Sequence, residues 1–384
     1  MRRNFLKKSL ATVASAVVVL SAPAWAQETI KIGIITDKVG PAKGYAEPVT
    51  QGAVYAVKEL NAKGGILGRQ IDLMVEDDQA KPDVSATVAR KLIDNGAVFI
   101  LSLSVTTATQ QVQAVTVQTK TPQLTPSNSG DTLTTQINNP NFWQTGPLGS
   151  TQIATLLSYA RNKNFKRVAV IADNSDLGQL TARFFKTGLE KSNIQVVSEE
   201  VVPMGSTSAE AQMQKIRAAT PDALFLAGVT TPENLLVLRA YRQLGLKLPV
   251  LAGYNLSVPV YSSVAKGLLD GVAFVDAFDP AKPEVKRFVE EYTKDMGKAP
   301  YNLHGYGYDG VMLVADAITR AGSTDKEKIR VAMQATQGLK GVMGAIGSSY
   351  GFHDGKRTGF DPNGMVVRVY EGDVQGKVVH VGAK

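Results

Sequence analysis

The sequence predicts an α/β protein built as two doubly wound lobes joined by three chain crossings. Short apolar runs alternate with helical patterns along most of the chain, as parallel sheets with right-handed crossovers require. The alternation comes in two series, and 384 residues exceed what one ordinary core holds. Three breaks rich in glycine or proline, at 140–150, 276–283 and 338–351, interrupt the rhythm, so the chain is expected to pass between the lobes three times. On that basis one lobe takes residues 27–147 and 278–345, and the other takes 148–277 and 346–384.

In the first series, 30–35 reads as a strand and 45–63 as a helix with Val54, Val57 and Leu60 on its buried face. Gly64 and Gly65 end that helix, since glycine takes the left-handed C-cap without penalty. A strand at 70–77 and a helix at 84–94 follow, then a buried strand at 98–101 and a Gln/Val/Ala helix with Thr106 or Thr107 at its N-cap. The second series has strands at 168–172, 195–201, 223–227, 249–252 and 271–275, with helices at 177–192, 209–219 and 233–244. Helices at 283–296, 306–321 and 326–335 come next, and two short strands at 365–370 and 377–380 close the chain.

Residues 1–26 are read separately. Arg2, Arg3, Lys7 and Lys8 precede an apolar stretch from Leu10 to Leu20, and Ala24-Trp25-Ala26 fits a cleavage site, so Gln27 is the expected mature N-terminus. Without those four basic residues the formal charge falls from +8 to +4. No basic cluster interleaved with aromatics occurs beyond the leader, so no nucleic-acid partner is indicated. The absence of cysteine excludes disulfides, thiolate nucleophiles and a lipidated cysteine. An exported, periplasmic protein is expected.

Chemistry concentrates where strands end. After the apolar run Val98–Leu101 the chain turns abruptly to Ser102, Ser104, Thr106, Thr107 and Thr109, then enters a helix. Hydroxyls beside a helix N-terminus make an anion cradle, because free N–H groups and the positive dipole end both face outward. A second polar loop, Thr125-Pro126-Ser127-Asn128-Ser129-Gly130, follows the next strand. Two such loops at neighbouring strand ends mark the place where an open α/β sheet binds its ligand.

Asn61-Ala62-Lys63-Gly64-Gly65-Ile66-Leu67-Gly68-Arg69, followed by a strand ending in Glu76-Asp77-Asp78, resembles the periplasmic branched-chain amino-acid binding proteins. So do the strand Val168–Asp173, Leu244-Gly245-Leu246 and Tyr308-Asp309-Gly310, and the resemblance runs through essentially all of the chain beyond the leader. It implies the type 1 periplasmic-binding fold: two Rossmann-like lobes, three hinge strands and a cleft between them. It also implies a partner, the permease of an ATP-driven (ABC-type) importer; a monomer without cofactor is expected. Carried over, the carboxylate-gripping loops fall on Ser104-Val105-Thr106-Thr107 and Ser127-Asn128-Ser129, and the aromatic lid falls on Tyr45. Across the cleft, Leu177 stands after Asp173 where the family often has tyrosine, and Val229 and Thr230 occupy another loop. Where the family offers an acid to the substrate ammonium, this chain has Gly253-Tyr254-Asn255.

That substitution leads to the expectation of a small carboxylate without an ammonium, an aromatic or other apolar acid, because an unpaired buried charge costs several kcal/mol. A leucine-like amino acid is the alternative, with Asp173 or Asp276 swinging in as the missing acid. Ser104 and Thr106 are expected to hold the ligand's anionic group. Two other motifs are weaker. Gly305-Tyr306-Gly307-Tyr308-Asp309-Gly310 matches G-x-G-x-x-G but follows a turn, not the strand a dinucleotide site needs. Gly347-Ser348-Ser349-Tyr350-Gly351 matches the hydrolase G-x-S-x-G, with His353, Asp354 and His380 downstream, which makes a secreted serine hydrolase using Ser349 the rival of another class. A sensor domain for a membrane partner is a further rival. The three histidines are scattered, so no metal site is expected, and Asp77-Asp78 and Glu199-Glu200 read mostly as solvated surface.

Overall fold

The computed structural model describes residues 28–383 except Val229, and the side chains of Asp176 and Leu177 are likewise not described. The expected leader, with Gln27, lies outside the described residues. The chain begins with β1 (Ile30–Thr36), α1 (Lys43–Ala62), β2 (Ile71–Asp77), α2 (Pro82–Asp94), β3 (Phe99–Ser102), α3 (Thr106–Thr119), β4 (Gln123–Thr125) and β5 (Phe142–Gln144). These strands form a parallel sheet in the order β2-β1-β3-β4-β5, whose switch point lies between β1 and β3.

The second series comprises α4 (Gly149–Asn162), β6 (Arg167–Asp173), α5 (Asp176–Lys191), β7 (Gln195–Val202), α6 (Glu210–Ala218), β8 (Ala223–Leu226), α7 (Thr231–Gln243) and β9 (Val250–Ala252). A 3₁₀ turn (Tyr254–Ser257), α8 (Val260–Val264) and β10 (Ala273–Asp276) follow. Then come α9 (Pro283–Met296), α10 (Asn302–Ala321), α11 (Lys326–Gln334), β11 (Val366–Glu371) and β12 (Val374–Val381). The second sheet runs β12-β11-β10-β9-β8-β6-β7. Its last two strands are antiparallel, so the C-terminal hairpin closes this sheet's edge.

Two elements fall where a break was expected. β5 occupies 142–144, and α4 starts at Gly149 inside the glycine- and proline-containing stretch. The helix has a readable pattern, since Ile153, Leu156, Leu157 and Ala160 recur at helical spacing and the last three are buried.

Helices α9 and α10 return to the first sheet's side. Tyr55 of α1 packs against Tyr292 of α9 at 4.8 Å between ring centroids and against Tyr308 of α10 at 6.2 Å. The backbones of α1 and α10 touch: a Cβ on Gly307 would lie 1.8 Å from the Val49 carbonyl oxygen, and one on Gly52 would lie 1.9 Å from that of His304. Here Gly307, the central glycine of the apparent dinucleotide motif, serves helix packing.

The second and third crossings pair with each other, and the first pairs with a segment just beyond the third. Gln144 bridges Thr358, and Phe278 bridges Gly344, each in parallel sense. The third crossing is pinned by charge. Asp309 of α10 accepts the N–H groups of Val342 and Met343 and the Tyr350 hydroxyl, all at 2.8 Å. Lys282, fully buried before α9, donates to the Met343 carbonyl at 2.8 Å. No helix among the described residues is long and apolar enough to cross a membrane.

Candidate functional site: an interlobe cleft

On the first lobe, three loops converge at the carboxyl ends of β1, β3 and β4. Asp37, buried after β1, accepts the Ala42 N–H at 2.7 Å and so fixes the turn into α1 that presents Tyr45. The half-buried Tyr45 phenol donates to the Ser127 carbonyl at 2.5 Å, and burial pushes it up to about 12, so it stays protonated.

The N-cap of α3 is Val105, not a threonine, and no side chain caps the helix. Thr106 instead is the first helical residue, and its hydroxyl donates to Asn128 Oδ1 at 2.9 Å. Both hydroxyls expected to hold the ligand's anionic group, those of Ser104 and Thr106, have acceptors within the protein. Ser104 donates to Asp78 at 3.0 Å, and Asp78 also receives Ser85 at 2.8 Å and the Ala80 N–H at 2.9 Å. Asp78 is 0% exposed, so it braces the loop from below and is not the surface acid its position suggests. Asn128 is equally committed, to Thr106 and the Gly130 N–H at Oδ1 and to Gln144 Nε2 at its carbonyl.

What stays unspent on this wall is different. The Ser127 hydroxyl is buried without a hydrogen-bond partner, and the first turn of α3 is uncapped. Thr107 and Ser129 are exposed at the rim, and the Ser129 carbonyl accepts the Gly149 N–H at the start of α4.

Across the cleft, the loops after β6, β8 and β9 form the opposite wall, with the switch point between β6 and β8. Asp173, buried, accepts the Ser175 N–H at 3.0 Å and both the N–H and hydroxyl of Thr230 at 3.0 Å. Its carboxylate thus ties two loops together. Asn255 donates to the Gly228 carbonyl at 2.9 Å, and Asn234 donates to the same oxygen at 3.0 Å and to the Tyr261 hydroxyl at 3.0 Å. Leu177 lies in the first turn of α5, but its side chain and Val229 lie outside the described residues.

Asp276, at the end of β10, is 0% exposed and meets Arg368 of β11 at 2.9 Å. Its other oxygen accepts Asn302 at 3.0 Å and the Ala277 N–H at 2.7 Å. Both acids considered for a ligand ammonium are thus already engaged by protein groups. Burial raises the Asp276 carboxyl more than Arg368 and Asn302 lower it.

The lobes touch where Tyr254 meets Tyr306 of α10, hydroxyl to hydroxyl, at 2.8 Å. Burial pushes both phenols well above their ordinary value, and the proximity of Asp276 and Tyr45 adds to the shift. Tyr306, 1% exposed, is a cleft residue that the sequence reading passed over, because its flanking glycines drew attention to a nucleotide motif. Its apolar-face spacing on α10 was the available signal.

The hydrolase reading fails on geometry. Ser349 lies between a turn at 346–347 and Tyr350, which makes an isolated bridge to Leu339, with neither the strand before it nor the helix after it that an elbow requires. It lines a hinge-side cavity of ≈ 450 Å³ with His353 and Asp361, and no bond joins Ser349 to His353 among the described contacts.

Two doubly wound lobes joined by three crossings, with strand-end loops of both sheets between them, define a two-lobe α/β fold of the binding-protein kind. The comparisons agree. A periplasmic binding protein family model matches residues 29–360. The Leu/Ile/Val-binding protein homolog 3 of Brucella melitensis biotype 1 is 28% identical over 321 residues, covering 83% of this chain and 86% of that protein. The Leu/Ile/Val-binding protein BraC3 of Rhizobium johnstonii is 26% identical over 326 residues, 84% of this chain and 88% of its own length. Among solved structures, the branched-chain amino-acid transporter substrate-binding protein LivJ of Streptococcus pneumoniae, in complex with isoleucine, matches with a TM-score of 0.78. It is 22% identical, with 92% of this chain and 100% of that one covered. A Desulfitobacterium hafniense ABC transporter substrate-binding protein in complex with leucine matches with a TM-score of 0.76 at 21% identity, covering 92% and 100%. The chain belongs to the periplasmic binding protein family, and it is a binding protein, not an enzyme.

Proposed function

We propose that this chain is the periplasmic receptor of an ABC-type importer, and that it captures a small carboxylate of the branched-chain amino-acid kind between its lobes and delivers it to the permease. The observation that carries the carboxylate is the unspent pair on the first wall: the uncapped N-terminus of α3 and the unpartnered Ser127 hydroxyl. Each hydrogen bond to a charged oxygen contributes about 1.5–3 kcal/mol, and the helix end about 0.3–1. Two or three such bonds with one buried apolar side chain reach about −8 kcal/mol, a micromolar affinity. The amino-acid part rests on the relatives, whose names specify leucine, isoleucine and valine. Transport, not signalling to a sensor partner, is favoured by the same relatives, and a periplasmic address by the family and the N-terminal leader pattern.

One observation favours a second reading, an aromatic or other apolar acid without an ammonium. Asp276 is held by Arg368 and Asp173 by Ser175 and Thr230, while Tyr254 and Asn255 stand at the loop that would offer an acid. Under the amino-acid reading, carbonyl and phenol oxygens must hold the ammonium. Calorimetry with leucine, isoleucine and valine beside benzoate- and phenylpropenoate-like acids separates the two. Micromolar or tighter binding of an amino acid is expected; binding of the simple acids alone reverses the order of the readings, and binding of neither sinks both.

A further inference from the structure

The contact between Tyr254 and Tyr306 joins the lobes directly, hydroxyl to hydroxyl. Its two sides are built independently. On one side, α10 lies at backbone contact with α1 through Gly307, which fixes the helix that carries Tyr306. On the other, Tyr254 opens the 3₁₀ turn after β9, and the Ser257 hydroxyl donates to the Tyr254 carbonyl at 2.7 Å. A second bond runs parallel to the first: Asn302, at the start of α10, donates to Ser257 Oγ at 2.6 Å and to Asp276 at 3.0 Å. Both phenols remain protonated, so the pair always has a hydrogen for its bond. Tyr306 is 1% exposed and Tyr254 half-buried, so the contact is partly shielded from water, which makes a polar contact stronger and its loss more costly than at the surface.

We propose that the Tyr254–Tyr306 hydroxyl pair is a latch between the two lobes that sets how much of the receptor is closed before ligand arrives. A ligand that prefers the closed state then binds more tightly the more of that state is already populated. The latch goes beyond the proposed function and rests on it only for two-lobe closure, not for the identity of the ligand.

The chain has no cysteine, so the variant Lys43→Cys/Ser263→Cys, at two exposed positions on opposite lobes, can be labelled for single-molecule energy transfer without background. Tyr254→Phe and Tyr306→Phe each delete one hydroxyl and keep the ring. In the absence of ligand, each is expected to shift the closed-to-open ratio toward open by roughly threefold to tenfold, the worth of one net hydrogen bond. The double variant is expected to shift it no further, because both substitutions remove the same bond. Unchanged distributions in both single variants overturn the latch, as do two effects that multiply in the double. Either variant alone breaks the bond, so a folding defect in one, seen by circular dichroism, leaves the other to decide. Because no ligand is present, failure here leaves the calorimetric outcome intact, and failure there leaves this one intact.

Discussion

Arg368 of β11 meets Asp276 of β10 at 2.9 Å with side-chain exposures of 6% and 1%. The two strands are antiparallel neighbours, and the pair lies under the wall that carries Tyr254. A buried ion pair is weak evidence for stability, yet breaking one by removing a single partner is costly, because the other charge is left uncompensated. Asp276→Asn is therefore expected to lower unfolding stability by about 3–5 kcal/mol, read from urea denaturation. The double variant Asp276→Asn/Arg368→Met should recover much of that loss. A single variant with a wild-type midpoint would show that the pair does not hold the lobe.

The unpartnered Ser127 hydroxyl and the committed Ser104 hydroxyl make opposite predictions for the same substitution. Ser127→Ala removes a buried polar atom that bonds to no protein group, so stability should hold or rise slightly. Affinity for a carboxylate ligand should fall about tenfold or more, the worth of one hydrogen bond to a charged group. Ser104→Ala takes a donor from buried Asp78 and should cost about 1–3 kcal/mol of stability. Thermal unfolding beside calorimetry checks both. Equal affinity losses with no stability difference would place Ser104, and not only Ser127, against the ligand.

That contrast shows what the sequence can carry. Alternation of apolar runs and helical patterns made the two sheets legible, and the strand-end loops followed, because a doubly wound sheet puts its loops at one edge. Partnering was not legible. Ser104 and Ser127 are both serines in polar loops after buried strands, but the acid that claims Ser104 stands 26 residues upstream. Arg368 and Asp276 are 92 positions apart and become neighbours only when the C-terminal hairpin folds back on β10. α4 was hidden by the glycine and proline that precede it, although its apolar spacing was present. Tyr306 was hidden by a motif whose central glycine, Gly307, serves contact between α1 and α10.

Helix α10 also carries two buried titratable groups whose effects on stability oppose each other. His304, 3% exposed, accepts the Tyr301 N–H through Nδ1 at 3.3 Å, and its Nε2 has no partner. Burial lowers it from 6.5 to about 4, with nearby Lys298 adding to the shift. The folded protein keeps this ring neutral while the unfolded chain protonates it, so its contribution is full above pH 6.5 and is lost as pH falls toward 4. Asp309 behaves in the reverse sense. Burial raises it from 3.8 to about 6 despite the N–H groups of Met343 and Val342, the Tyr350 hydroxyl and the charge of Lys282. The folded protein binds its proton first, so stability from this group is greatest below pH 3.8 and declines as pH rises to 6. At 1.36 kcal/mol per unit, each effect amounts to about 2–4 kcal/mol, and the two largely cancel between pH 6.5 and 4. Single substitutions should expose them. Relative to wild type, His304→Gln should gain stability as pH falls from 7 to 5, and Asp309→Asn should lose it. Urea midpoints at pH 7, 6 and 5 measure both slopes, and variants that run parallel to wild type would mean that neither group titrates differently in the folded and unfolded states.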